Sequence, residues 1–129
     1  MEIRVYYEDT DAGGVVYYAN YLNYFERGRT EYFRERGIEV ASYAAVGILF
    51  VVAHAEVDYR SAARYNDLLM METEIVDFSR ASLTFSHRVL LRGSDREVVE
   101  GWVRLVCVDS KLKPRRLPDE IAEIATKVV

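Results

Sequence analysis

An α+β fold, in which a five-stranded antiparallel sheet wraps around one long helix, is what this sequence predicts. One long apolar stripe at helical spacing runs from about residue 20 to residue 37. One segment with strand character precedes this stripe and four follow it. Because no crossover helix separates the four later segments, we expect them to run antiparallel.

The first strand is predicted at the N-terminus by a two-residue period. Ile3, Val5 and Tyr7 alternate with Glu2, Arg4 and Tyr6, as in a strand with one buried face. A turn is expected over residues 8–14, which include two adjacent glycines.

The long helix follows this turn, with Asn20 placed to cap its start and Gly37 placed to end it. A glycine inside a helix costs about 1 kcal/mol relative to alanine, so Gly28 indicates a close approach to another element, expected to be the sheet. The residues at spacings of three and four along one face are Tyr21, Leu22, Phe25, Gly28, Arg29, Tyr32 and Phe33.

The rest of the chain has mainly strand patterns, after a short helix expected near residues 39–46. Gly93-Ser94-Asp95-Arg96 is a good hairpin turn between the last two strands. Pro118 and the two acidic residues after it predict the start of a C-terminal amphipathic helix. The four predicted strands cover residues 48–59, 68–77, 82–92 and 97–108.

Length and composition predict a single domain over residues 1–129. Half of the 129 residues are hydrophobic and 29% are charged, which is ordinary for one globular domain. The longest apolar run, 48–53, is far shorter than the roughly 18 residues of a membrane span, and charged residues come before any signal-peptide core. Cys107 is the only cysteine, which fits a reducing compartment. We therefore expect a cytoplasmic protein without a membrane span.

The net charge of −4 argues against bulk attraction to nucleic acid, which depends on clustered Lys and Arg. Two histidines and one cysteine without metal-ligand spacing predict no metal. The signatures of serine hydrolases, nucleotide hydrolases and dinucleotide enzymes are missing as well. We expect no cofactor.

Residues 7–21, which read YEDTDAGGVVYYANY, and the Glu26-Arg27 pair carry a specific likeness to a known family. The segment closely resembles the signature of the 4-hydroxybenzoyl-CoA thioesterase family, especially its Tol-Pal-associated acyl-CoA thioesterase branch. At position 18 that branch typically has histidine, whereas the hydroxybenzoyl-type enzymes have tyrosine, as this chain does. The likeness continues through residues 50–52, 59–67, 82–83, 107–109, 113–115 and 117–118.

This resemblance implies a hotdog fold and acyl-CoA or aroyl-CoA thioester hydrolysis, with Asp11 as the catalytic carboxylate and the amide of Tyr18 as an oxyanion donor. The chemistry is reasonable for the residues themselves. Asp11 precedes a helix whose first N–H groups lack intrahelical partners and would polarise a thioester carbonyl. The carboxylate could attack that carbonyl directly or activate a water molecule, and the sequence leaves both routes open.

Each of these residues also has a purely structural interpretation. An aspartate before glycines commonly caps a turn. Asp9 is expected on the surface or supporting the site, and Glu26 is either a second buried carboxylate or an ion-pair partner of Arg27, Arg29 or a sheet residue. Tyr7 and Tyr21, which we predict to line the substrate pocket, could equally serve core packing.

Coenzyme A is multiply anionic and the chain is acidic, so its phosphates need a local basic patch. The best candidates are Arg80, beside Ser82, and the basic residues within 111–116. Arg60 and Ser82 are also predicted to bind the substrate. Arg60 and Arg64 are expected, with the end of the preceding strand at 56–59, to meet the Asp11 loop of a neighbouring chain. Isolated surface charge is the plainer interpretation of each basic residue.

An open sheet edge and the family resemblance both predict a homodimer or homotetramer with the active site shared between chains. An acyl carrier protein is a further expected partner. A non-catalytic module that binds acyl-CoA or an acyl carrier is the main alternative, and a dehydratase is the weakest, because no histidine occurs between residues 1 and 53.

Overall fold

The computed structural model describes all residues from 1 to 129. Its five strands are β1 (Glu2–Arg4), β2 (Leu49–Tyr59), β3 (Leu68–Phe78), β4 (Ser82–Leu91) and β5 (Glu97–Val108). Its three α-helices are α1 (Asn20–Arg34), α2 (Val40–Ala44) and α3 (Asp119–Val128). None of these helices combines the length and the apolar character needed to cross a membrane.

The strands form one antiparallel sheet in the order β1-β3-β4-β5-β2. The predicted fold class is therefore confirmed, and each predicted boundary of the four long strands lies within one residue of the observed one. The hairpin between β4 and β5 is also found where predicted, with Gly93 at a φ of +79° that favours glycine.

Helix α1 lies against the inner face of the sheet at two close contacts, each made possible by a glycine. A Cβ on Gly28 would lie 2.4 Å from Met71 Cε, and a Cβ on Gly101 of β5 would lie 2.3 Å from the Phe25 ring. Real Cβ atoms do not approach other atoms this closely, so the two glycines bring the helix and the sheet together. The close approach predicted from Gly28 is confirmed.

Strand β2 is left largely uncovered at one edge of the sheet. It has eleven residues, most of them exposed, and α1 packs mainly against β3 and β4. Val52 is 55% exposed and Tyr59 is 51% exposed. A long exposed edge with apolar side chains is the kind of surface that proteins normally cover.

The predicted elements differ from the structure at both ends of the site loop. The first strand ends at Arg4, and Tyr7 lies in a 3₁₀ turn with its side chain 77% exposed, because the chain turns away from the sheet after Val5. The prediction of Asn20 as the helix cap is wrong: Ala19 is the cap, and the Asn20 amide donates a hydrogen bond to Asp9. Helix α1 ends at Arg34, and Gly37 lies in the following turn with a φ of +81°.

Candidate active site

A tight loop carries Asp11 and connects the 3₁₀ turn to α1. The backbone N–H of Asp11 donates to the Val15 carbonyl at 2.9 Å, and Gly14 makes the turn with a φ of +77°. The C-terminal side of the loop is attached to the segment that joins β2 to β3, because the Val16 N–H donates to the Ala63 carbonyl at 2.8 Å. The loop is therefore held by residues that lie some 50 positions further along the chain.

The Asp11 carboxylate is exposed, and only one of its two oxygens accepts a hydrogen bond within the chain. The Gly13 N–H donates to its Oδ1 at 2.8 Å, and Oδ2 has no hydrogen-bond partner in the chain. A Cβ on Gly13 would lie 3.2 Å from Oδ1, which is a tight contact. Glycine therefore fits best at position 13 while the Asp11 carboxylate accepts this hydrogen bond. One carboxylate oxygen caps the turn, as the structural interpretation expects, and the other has no partner in the chain.

The start of α1 offers two unpaired N–H groups close to this loop. Those of Tyr18 and Ala19 donate to no acceptor in the chain. The Tyr59 hydroxyl donates to the Tyr18 carbonyl at 2.9 Å, which fixes the peptide group that carries the Ala19 N–H. Unpaired N–H groups at a helix start attract negative charge.

Asp9 supports this helix start, so of its two expected positions the structure shows the supporting one and not the surface one. It is only 7% exposed, and its carboxylate accepts hydrogen bonds from the Tyr6 N–H at 2.8 Å and from the Asn20 amide at 3.0 Å. The Tyr24 hydroxyl is buried nearby without a hydrogen-bond partner. Its pKa is raised, first by burial and then by the Asp9 carboxylate. Asp9 thus connects the 3₁₀ turn to the helix and is not available to substrate.

Tyrosines surround the Asp11 loop on its exposed side. The Tyr18 ring lies 4.9 Å from that of Tyr17 and 6.3 Å from that of Tyr59. The pKa of Tyr17 is raised, mainly by the Tyr18 side chain and to a smaller extent by the Asp11 carboxylate. Tyr17 and Tyr18 are therefore close to the acid and open to solvent, with exposures of 47% and 62%.

The other two predicted tyrosines are placed differently. Tyr7 packs its ring against that of Tyr65 at 6.0 Å on the exposed surface. Tyr21 is a core residue, 3% exposed, with its ring 5.9 Å from that of Tyr59. Burial is the main cause that raises the pKa of Tyr21 to about 12. Tyr21 supports the position of Tyr59 and does not itself offer a surface to a ligand in this chain.

Arg60 is not free to bind a phosphate, because three carboxylates surround it. Its guanidinium lies 3.1 Å from Glu97, 3.7 Å from Asp58 and 3.8 Å from Glu100. Arg64 pairs through its backbone with Val15 of its own chain. Within the chain, the 59–64 segment therefore meets the Asp11 loop of the same chain, where we had expected that of a neighbour.

Arg80 and Ser82 lie at the opposite end of the sheet from Asp11. The Arg80 carbonyl accepts from the Leu117 N–H at 2.9 Å, and Ser82 pairs with Val106 near the end of β5. Tyr59, beside the Asp11 loop, pairs instead with Val99 near the start of β5. Seven residues of a strand span about 23 Å, so one chain keeps its predicted catalytic residues and its predicted phosphate-binding residues well apart.

The basic end of the sheet includes residues 111–116 as well as Arg80. The Arg115 N–H donates to the Cys107 carbonyl at 2.9 Å, which brings this segment back beside the end of β5. Arg116 lies 3.6 Å from Asp119, and Arg80 makes no ion pair. These residues form one exposed basic patch, as the sequence suggested.

Glu26 has neither of its expected roles, because it is exposed rather than a second buried carboxylate and makes no ion pair with Arg27, Arg29 or a sheet residue. Glu26 accepts a hydrogen bond from the Thr30 hydroxyl at 3.0 Å and makes no ion pair. Arg29 is 8% exposed and lies 3.4 Å from His87 Nε2. Its position as the one charged residue in the apolar stripe of α1 was the signal in the sequence that could have identified it as unusual. No group of three or more His, Cys, Asp or Glu side chains is arranged to hold a metal ion.

Comparison with known proteins places the chain in a family of enzymes. The model of the thioesterase-like superfamily matches residues 5–124. The chain is 43% identical over 120 residues to the acyl-CoA thioester hydrolase YbgC of Escherichia coli, covering 92% of this chain and 89% of that protein. It is 44% identical over 121 residues to the acyl-CoA thioesterase YbgC of Haemophilus influenzae, with coverages of 92% and 88%.

Solved structures agree with this placement. A probable thioesterase from Bartonella henselae superposes with a TM-score of 0.84 at 35% identity, covering 92% of this chain and 97% of that one. A DHNA-CoA thioesterase from Staphylococcus aureus superposes with a TM-score of 0.94 at 26% identity, with coverages of 99% and 88%. With the hotdog architecture, the family match over most of the chain and these relatives in agreement, the chain belongs to the thioesterase-like superfamily.

Proposed function

We propose that the protein is an acyl-CoA thioester hydrolase in which Asp11 acts on a thioester held at the start of α1. The observation that carries the proposal is the pairing, on one short loop, of a carboxylate with a free oxygen and two unpaired N–H groups. The curated relatives of similar length are acyl-CoA thioesterases by name, which supports the same reaction here.

The thioester carbonyl oxygen would accept hydrogen bonds from the Tyr18 and Ala19 N–H groups. These donors would stabilise the negative charge that develops on that oxygen in the tetrahedral intermediate, at about 3–4 kcal/mol for a good donor. Asp11 has two routes from there. Its carboxylate attacks the carbonyl carbon and forms an anhydride that water then hydrolyses, or it removes a proton from an attacking water. Either route consumes one water and releases the free acid and the coenzyme A thiol.

A second copy of the chain would complete the site. The β2 edge is long and exposed, so pairing with another β2 would cover it. A two-fold axis makes such a pairing antiparallel, which places the Tyr59 end of one strand beside the Leu49 end of the other. The Asp11 loop of one copy would then lie near the basic patch of its partner, Arg80 with residues 111–116. This arrangement would bring together the two ends that one chain separates by about 23 Å.

The substrate is an acyl- or aroyl-CoA, and the proposal requires no metal and no further cofactor. Coenzyme A would bind through its phosphates to Arg80 and the basic patch around it, with Ser82 alongside. We place the protein in the cytoplasm as a homodimer or homotetramer. The Tol-Pal-associated branch, a hydroxybenzoyl substrate and an acyl carrier partner all stay predictions from the sequence.

The test is the Asp11→Asn variant, assayed by thiol release from acetyl-, octanoyl-, palmitoyl- and 4-hydroxybenzoyl-CoA. The amide is neither nucleophile nor base, so kcat should fall at least 100-fold, with the melting temperature unchanged because the side chain is exposed. Asp95→Asn, in the β4–β5 hairpin, is the matched control and should behave as wild type. Turnover should survive EDTA.

Three outcomes would contradict the proposal. Near-normal turnover by Asp11→Asn would move the catalytic role to another residue. A wild-type protein that binds these thioesters without releasing thiol would favour the non-catalytic binding module. Light scattering that finds a monomer with full activity would refute the shared site while leaving the chemistry of Asp11 intact.

A further inference from the structure

A closed ring of three hydrogen bonds joins Asp9, Tyr17 and Asn20 at the start of α1. The Tyr17 N–H donates to the Asp9 carbonyl at 2.9 Å, and the Asn20 N–H donates to the Tyr17 carbonyl at 2.8 Å. The Asn20 side-chain amide donates to Asp9 Oδ1 at 3.0 Å and closes the ring. Residues 18 and 19, which carry the two unpaired N–H groups, are the only ones between Tyr17 and Asn20. The ring therefore holds the chain on both sides of these donors.

One bond of the ring fixes the direction of a donor. The Tyr17 carbonyl and the Tyr18 N–H belong to one planar peptide group and point in opposite directions. Because the Asn20 N–H holds that carbonyl, the direction of the Tyr18 N–H is set as well. The next peptide group, which carries the Ala19 N–H, is held in the same way by the Tyr59 hydroxyl. The ring and Tyr59 therefore fix one donor each.

Asp9 can anchor the ring because Tyr6 holds it at two points. The Asp9 N–H donates to the Tyr6 carbonyl at 3.0 Å, and Asp9 Oδ2 accepts from the Tyr6 N–H at 2.8 Å. Each carboxylate oxygen thus has one donor, and hydrogen bonds to carboxylates are stronger than those between neutral groups. On the other side of the ring, the Asn23 amide donates to Asn20 Oδ1 at 2.9 Å. Donation therefore runs in one direction, from Asn23 through Asn20 to Asp9.

We infer that Asp9 and Asn20 are positioning residues, which hold the two N–H groups in the direction that a developing oxyanion requires. This inference rests on the proposed function, because it concerns the donors of the same site. Donors that are already oriented need no reorganisation as the charge develops on the carbonyl oxygen. A misdirected donor stabilises the transition state less and changes the binding of the neutral thioester little, so kcat should fall while KM changes less.

An exchange of the two side chains tests the inference. In Asn20→Asp the new carboxylate faces that of Asp9 without a donor between them, and an assay at about pH 8 keeps the pair from sharing a proton. With octanoyl-CoA, kcat should fall about tenfold or more, which corresponds to about 1.4 kcal/mol, and KM should stay within about twofold. In the double variant Asp9→Asn/Asn20→Asp the amide at position 9 accepts from the Tyr6 N–H and donates to position 20. Every bond can form again, so kcat should return to within about threefold of wild type.

Three further variants complete the comparison. Asp9→Asn alone should keep kcat within about threefold, because the Asn20 and Asn23 amides can both turn over and Asn23 is exposed. Asn20→Ala removes the side-chain bond without adding a charge and should lower kcat about three- to tenfold. Ile121→Ala, in the buried face of α3, lowers stability away from the site and should keep the wild-type kcat below its melting temperature. It separates positioning from a general loss of stability.

Several results would overturn the inference. One is a wild-type kcat in Asn20→Asp or, where that variant does not fold, in Asn20→Ala. Others are a double variant that melts like wild type but keeps the low kcat of Asn20→Asp, and an equal fall of kcat in Ile121→Ala.

Asp11→Asn separates this inference from the proposed function. If Asp11→Asn is inactive while Asn20→Asp is normal, the positioning role fails and the proposed function stands. If Asp11→Asn retains turnover, the role of Asp11 fails, and the kcat of Asn20→Asp relative to wild type still tests the positioning of the N–H donors.

Discussion

The Tyr59 hydroxyl holds the start of α1, and its removal should slow catalysis without unfolding the protein. In Tyr59→Phe the hydrogen bond to the Tyr18 carbonyl, 2.9 Å long, is lost. Both side chains are about half exposed, so water can satisfy the carbonyl, and the cost in stability should stay below about 1 kcal/mol. The same peptide group carries the Ala19 N–H, which then loses its fixed direction.

The expected fall in kcat follows from these magnitudes. Complete loss of an oxyanion donor costs about 100- to 1000-fold, whereas a loosened donor costs about the energy of the hydrogen bond that held it. A bond worth 0.5–1.5 kcal/mol corresponds to a fall of roughly two- to twelvefold. The measurement is kcat and KM with octanoyl-CoA, beside a thermal melt. Tyr65→Phe, a tyrosine of similar exposure whose hydroxyl makes no hydrogen bond, is the control. A Tyr59→Phe enzyme with wild-type kcat would refute the role assigned to this contact.

Two further predictions concern charge. Arg80→Glu should raise KM for acyl-CoA more than it lowers kcat. The effect should be smaller at high salt, because Arg80 is exposed and would attract the phosphates through solvent. Lys127→Glu is the control, and an unchanged KM at low salt would remove Arg80 from the site. Burial, aided by Arg29, lowers the pKa of His87 from 6.5 to about 3. Below pH 6.5 the unfolded chain therefore binds a proton at His87 that the folded chain does not bind. Because of this, the free energy of unfolding should fall as pH falls from 6.5 towards 3, by up to about 1.4 kcal/mol per pH unit. Urea titrations at several pH values should show this slope in wild type and in His54→Gln, which changes an exposed histidine, but not in His87→Gln. Equal slopes in all three proteins would contradict the assignment to His87.

The fold could be predicted because its signals are local and repeated. Four long strands, one long helix and the C-terminal helix each carry a period over many residues, so an error at one position does not change the assignment. The failures occurred where a single contact decides the local structure. The cap of α1 is one: Asn20 has the right chemistry for a cap, but Asp9 lies close enough to take its amide.

The turn that carries Asp11 could be predicted from the sequence, whereas the surroundings of the predicted basic residues could not. Asp11 and its glycines are adjacent in sequence, so their turn could be anticipated from residue types alone. Arg60 was different, because two of the three carboxylates around it come from β5, some 40 residues away, and only strand pairing brings them close. Arg80 and Asp11 could not be placed at opposite ends of the sheet without the strand register.

The geometry at Asp11 depends on residues that the substrate need not touch. The Ala63 carbonyl holds Val16, the Arg64 backbone pairs with Val15, and the Tyr59 hydroxyl holds Tyr18. All three belong to the end of β2 and the loop that follows it, so one short segment contacts both the Asp11 loop and the helix start. Displacement of that segment would move the carboxylate and the N–H donors relative to a bound thioester, and an error of about 1 Å in such a site can cost 100-fold in rate. The 59–64 segment therefore supports both the Asp11 loop and the start of α1, the two parts of the chain on which the proposed chemistry depends.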